Sequence, residues 1–112
     1  MKYYVLDDKR VIPAADVFAW ARCFEDVPSR IVAQTLLGTI RVSTVFLGVN
    51  LRLFGDGPPL LFETMAFDSP DDEEHMRRYS TWEEAESGHG EVVSEIRTLL
   101  SVPPRSAVEA TP

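Results

Sequence analysis

Residues 41–68, RVSTVFLGVNLRLFGDGPPLLFETMAFD, decide how this chain folds. Val, Thr, Phe and Leu dominate the two arms, residue types that pack well on a pleated surface, while Gly55, Asp56, Gly57, Pro58 and Pro59 mark a reversal between them. The stretch reads as two strands of an antiparallel hairpin, with the remaining chain as its cover. In the first arm Val42, Thr44 and Phe46 alternate with Ser43, Val45 and Leu47, and either set can face the core. Gly48 marks a bulge or a close approach by another element. In the second arm Leu61, Glu63, Met65 and Phe67 share one face, and Phe62, Thr64 and Ala66 share the other. The Glu63 carboxylate therefore lies among apolar neighbours whichever face is buried. Such a group either is buried with a raised pKa, a feature of functional sites, or emerges at a sheet rim or pairs with an arginine such as Arg41, Arg77 or Arg78.

Working outward, residues 30–37 read as a strand with Ile31, Ala33, Thr35 and Leu37 on one face and Val32, Gln34 and Leu36 on the other. Neither face is strongly polar, which predicts a strand internal to the sheet or covered on both sides. Gly38 and Thr39 turn it into residues 40–50, giving a three-stranded meander. Residues 2–6 form a short strand that returns through polar Asp7, Asp8, Lys9 and Arg10 to Val11 and Ile12. Pro13 is placed in the first turn of a helix, with Asp16 at the positive end of its dipole. Val17, Trp20, Ala21 and Phe24 then fall on one face, for burial against a sheet, and Glu25, Asp26 and Pro28 close the helix. Trp20 reads as a core anchor on that stripe. A last helix starts with a capping box, Ser80 with Glu83 or Thr81 with Glu84. Its stripe is Trp82, Ala85, His89, Val92 or Val93, Ile96, and Leu99 or Leu100, and it lies on the sheet. His89 reads as a satisfied core histidine, flanked by Gly88 and Gly90, which permit close backbone approach. The fold class is α+β: an antiparallel sheet of about three to five strands, in β-α-β-β-β-α order, packed by two helices. Residues 1–101 form a single domain, and residues 102–112, VPPRSAVEATP, lose periodicity and are expected to be a disordered tail.

A chain of 112 residues supports one core without staples. No apolar run approaches the roughly 20 residues of a membrane span, and the N-terminus has no apolar leader with a small-residue cleavage site. The single Cys23 forms no internal disulfide, consistent with a reducing cytoplasm as the expected location. Acids outnumber bases 18 to 11, and the net charge of −7 argues against direct nucleic-acid binding. The same charge favours encounter with a basic protein surface. Residues 68–74 hold five acids in seven, but lack the alternating ligand spacing, central glycine and terminal glutamate of a calcium loop, so no metal or cofactor is implied.

VSTVFLG (42–48), PPLLFETMAF (58–67) and RYSTWEEAESGH (78–89), with DVFAWARCFE (16–25) upstream, resemble a family of small uncharacterised proteins carried by bacteriophages and prophages, especially of actinobacteria. The resemblance covers most of the chain up to His89 and implies genomic context rather than a chemistry; a phage-encoded chain would work in the host cytoplasm. In that family an acid followed by histidine often comes after the FLG strand. Here Asn50 and Leu51 stand there, which argues against a metal or acid/base site built from Glu63, His89 and a loop Asp-His pair.

Two functional classes follow. The first is a non-enzymatic phage accessory protein, an inhibitor or regulator that binds a host or phage protein. Its candidate contacts are Phe54 and Asp56 in the glycine-rich loop and Asp71, Asp72, Glu73 and Glu74 in the acidic strip. The second is a small hydrolase-like enzyme with Glu63 as base and His89 as acid or ligand, which requires the two to meet in one cleft. There is no phosphate-binding glycine loop, dinucleotide fingerprint, nucleophile elbow or paired-cysteine zinc pattern, and binding is the favoured class. Self-association through an open strand or apolar face is a third way for such a sheet to meet a partner, a second copy of the chain.

Overall fold

A computed structural model describes residues 2–68 and 76–101. Along the chain run β1 (Tyr4–Asp7), β2 (Arg10–Pro13), α1 (Val17–Glu25), α2 (Val27–Arg30), β3 (Ile31–Leu37), β4 (Ile40–Phe46), β5 (Phe62–Phe67), β6 (Arg77–Tyr79) and α3 (Trp82–Ser101). The fold is α+β, with a two-stranded sheet β1-β2 and a four-stranded antiparallel sheet in the order β3-β4-β5-β6. Residues 41–68 do form the central hairpin: Val42 pairs with Ala66, Thr44 with Thr64 and Phe46 with Phe62.

Turn chemistry sets the registers. Asp8 and Lys9 both adopt positive φ (48° and 72°), the primed geometry that joins twisted antiparallel strands through two residues, and Val5 is thereby paired with Ile12. Gly38 alone has positive φ (64°) in the Gly38-Thr39 turn, as a type II′ connection demands at its first position, and it closes the Leu37–Ile40 pair. Pro13 ends β2 instead of opening a helix. Asp16 starts α1 three residues later, its Oδ1 accepting the Ala19 amide at 2.8 Å, because a side-chain acceptor satisfies an orphan amide that proline cannot.

The apolar stripe of α1 lies against β1, not on the four-stranded sheet, and Val17 remains 42% exposed. Trp20 nonetheless anchors: its indole donates to the Leu47 carbonyl at 3.0 Å and its ring packs between Tyr3 and Phe24. Gly48 is the close approach anticipated from sequence. A Cβ there would stand 2.6 Å from the Tyr4 carbonyl oxygen and 2.7 Å from the Trp20 indole nitrogen, and φ is +75°.

The helix α3 covers one face of the large sheet and touches all four of its strands. Of the two expected capping boxes, Thr81 with Glu84 forms: the Glu84 amide donates to Thr81 Oγ1 and the Thr81 amide to Glu84 Oε1, both at 3.1 Å. Two apolar clusters lie under the helix. One joins Leu37, Ile40, Val42 and Ala66 to Val92, Val93 and Ile96; the other joins Phe46, Leu61 and Phe62 to Trp82 and Ala85, with Tyr4, Leu6 and Val11 of the small sheet at its margin. Each fully buried large side chain here contributes about 1.5–3 kcal/mol relative to exposure. Leu99 and Leu100 lie beyond this cover and are both 57% exposed.

Two elements depart from expectation. β3 is an edge strand, not an internal one: among the described residues it pairs with β4 alone, and Leu36 is 69% exposed. β6 is an additional strand drawn from residues just before the last helix, so the meander has four strands.

Candidate functional site

Between the two apolar clusters runs a band of polar side chains, one from each element that crosses it. Thr44 sits between Val42 and Phe46 on β4, Thr64 between Phe62 and Ala66 on β5, and His89 between Ala85 and Val92 on α3. Tyr79 Oη donates to Thr64 Oγ1 at 3.0 Å, and Thr64 and Thr44 share a short hydroxyl contact. Thr44 Oγ1 meets His89 Nδ1 at 2.7 Å, and Thr35 Oγ1 meets His89 Nε2 at 2.8 Å. Passing one proton along each link from Tyr79 makes Nδ1 an acceptor and leaves the ring proton on Nε2, donated to Thr35. Every polar atom of the band is satisfied with a neutral imidazole. A second ring proton would require reversing each hydroxyl back to Tyr79, and burial independently pushes the His89 pKa below its usual value. Burial also raises the Tyr79 phenol, opposed by its bond to Thr64. His89 is the satisfied core histidine that its place on the stripe suggests.

Glu63 lies on the other face of the sheet. It follows Phe62 and precedes Thr64, both fully buried toward α3, so strand alternation aims its side chain away from the helix. There its Oε2 accepts from Arg78 Nε at 3.0 Å, and Arg78 also reaches the Leu51 carbonyl at 3.4 Å. β6 brings this arginine opposite Glu63 in register. The cleft containing both Glu63 and His89, which a hydrolase-like site requires, is not formed. The physical reason is parity: Thr44 and Thr64, in register with each other, hold the histidine on the even face of β5, and Glu63 is odd. Two surface hollows among the described residues lie elsewhere, between residues 8–11 and 81–83 and between residues 2–4 and 13–17. Among the described residues no group of three or more His, Cys, Asp or Glu side chains is placed to hold a metal ion.

The loop from β4 to β5 has a built framework. Asn50 Oδ1 accepts the amides of Arg52 (3.0 Å) and Leu60 (2.9 Å), and the Leu51 amide donates to the Leu60 carbonyl at 2.8 Å. Arg52 then clasps the far limb through Nε and Nη2, both donating to the Pro58 carbonyl at 3.1 and 3.0 Å. Gly57 admits this clasp, because a Cβ there would lie 2.6 Å from the guanidinium carbon. Beyond the clasp stand Leu53, 78% exposed, and Phe54, 87% exposed, with Asp56 also exposed. Sequence reading singled out Phe54 and Asp56 but missed Asn50 and Arg52; an amide and a guanidinium just before a glycine-proline turn were the available signal. Asp71, Asp72, Glu73 and Glu74 lie outside the described residues.

Comparison of the chain with protein-family models, curated proteins and solved structures gives no match. Its functional reading therefore rests on its own geometry and on the motifs quoted above.

Proposed function

We propose that this chain is a non-enzymatic binding module, in the manner of a phage or prophage accessory protein, that inserts Leu53 and Phe54 into an apolar pocket of a host or phage protein. The observation that carries the reading is the combination of exposure and bracing in one loop. An aromatic side chain in water has no stabilising role in the free chain, and burying it in a partner contributes about 1.5–3 kcal/mol. The Asn50 and Arg52 clasps order the loop before binding, so less of that contribution is lost to immobilisation. Asp56 beside the apolar tip, and the net charge of −7, favour a partner whose pocket is rimmed by basic residues.

The test is capture from host and phage-infected lysates by the tagged protein, with Phe54→Ala and Arg52→Ala in parallel. Phe54 is exposed and Arg52 half-buried, both in a loop outside the two apolar clusters, so both variants should retain the circular dichroism of the parent. Phe54→Ala is expected to lose the partner, and Arg52→Ala to hold it more weakly. A partner captured equally by all three proteins would show that the loop is not the binding surface.

A further inference from the structure

We propose that β3 is a dimerisation strand, on which a second copy of this chain pairs antiparallel about a twofold axis at Thr35, giving one continuous eight-stranded sheet. The proposal is independent of the loop reading. The two edges of the four-stranded sheet differ in kind. β6 is three residues long and carries Arg77 and Arg78, a short charged edge that resists pairing. β3 is seven residues long, IVAQTLL, with no charge, proline or glycine, and it exposes Leu36. Its one irregularity, between Ile31 and Ala33, lies at its first end, where Arg30 Nη1 takes up the Phe46 carbonyl at 3.0 Å. Among the described residues the regular part, Ala33 to Leu37, has no partner on its outer side.

Backbone parity selects the register. The two-residue Gly38-Thr39 turn makes Leu37–Ile40 a hydrogen-bonded pair, and bonded and non-bonded pairs alternate from it. Thr35 is therefore bonded to Val42, while Gln34 and Leu36 turn their amides and carbonyls outward. An antiparallel copy centred on Thr35 sets Gln34 of each chain against Leu36 of the other, forming four reciprocal backbone hydrogen bonds. It also lays the exposed Leu36 along the Gln34 methylenes and sets Ala33 against Leu37, with no like charges opposed. This self-complementarity is what an isologous interface between two copies requires. The contact is smaller than the roughly 1,600 Å² of standard stable complexes, so the dimer forms in a concentration-dependent equilibrium.

Light scattering on the intact protein from about 10 µM to about 1 mM should show the mass rise from 12.6 kDa toward twice that value. Leu36→Lys, a surface change, and Gln34→Pro, which removes an outward amide, should each hold it at the monomer mass. Phe54→Ala should leave the rise intact. Amide exchange at Gln34 and Leu36 should slow at the higher concentration, with Thr35 and Leu37 unchanged. A constant 12.6 kDa mass, association that survives Leu36→Lys and Gln34→Pro, or association lost with Phe54→Ala would each overturn the proposal.

Discussion

Gly88 and Gly90 lie one residue apart on either side of His89, yet alanine should act oppositely at the two. Both are inside α3, where replacing glycine by alanine gains about 0.8–1 kcal/mol of helix propensity. At Gly90 nothing lies within 4 Å of the added methyl, so the gain is realised in full. At Gly88 the methyl would fall 2.1 Å from Tyr79 Cε1 and 2.3 Å from its Cζ and Oη, and the tyrosine ring must leave. Overpacking of this kind costs about 1–3 kcal/mol, and leaving buried Thr64 without the Tyr79 bond costs about 1–3 kcal/mol more. After subtracting the propensity gain, Gly88→Ala should lose roughly 1–5 kcal/mol net, while Gly90→Ala gains about 1 kcal/mol. For a domain of this size each kcal/mol moves Tm by about 4 °C or more. Thermal and urea unfolding of the two variants measure the difference directly. A Gly88→Ala protein as stable as Gly90→Ala would refute the packing of Tyr79 on α3 and with it the polar band as described.

Because burial lowers the His89 pKa, the unfolded chain binds more protons than the folded one just below the ordinary value of 6.5. Its contribution to stability should be complete above about pH 6.5 and decline as pH falls from there through the folded pKa, with a slope of at most about 1.4 kcal/mol per pH unit. Urea midpoints between pH 5 and 8 check this, and His89→Gln should flatten that part of the profile. Glu63→Gln removes the charge from a largely buried pair with Arg78, whose side chains are 15% and 30% exposed, and should cost about 1–3 kcal/mol. It should leave the His89 titration followed by NMR unmoved; a clear shift would contradict their placement on opposite faces.

What sequence alone determined here is local. A threonine and a glutamate three residues apart cap α3, a glycine at the first turn position joins β3 to β4, and alternating residues make the central hairpin. Each follows from groups close in the chain. The period of α3 likewise placed His89 on the buried stripe. What only tertiary structure decided is partnership. Alternation puts Glu63 and Thr64 on opposite faces of β5 but carries no information on which face a helix that begins only at Trp82 will cover. Residues 77–79 are too few to show a period, and they become β6 because β5 offers an unpaired edge. That step carries Arg78 to Glu63 and Tyr79 to Thr64, the two contacts that separate an ion pair on one face from a histidine on the other. β3 reads as internal because both its residue sets are weakly polar, yet it is an edge, since strand order depends on where β5 and β6 join the hairpin.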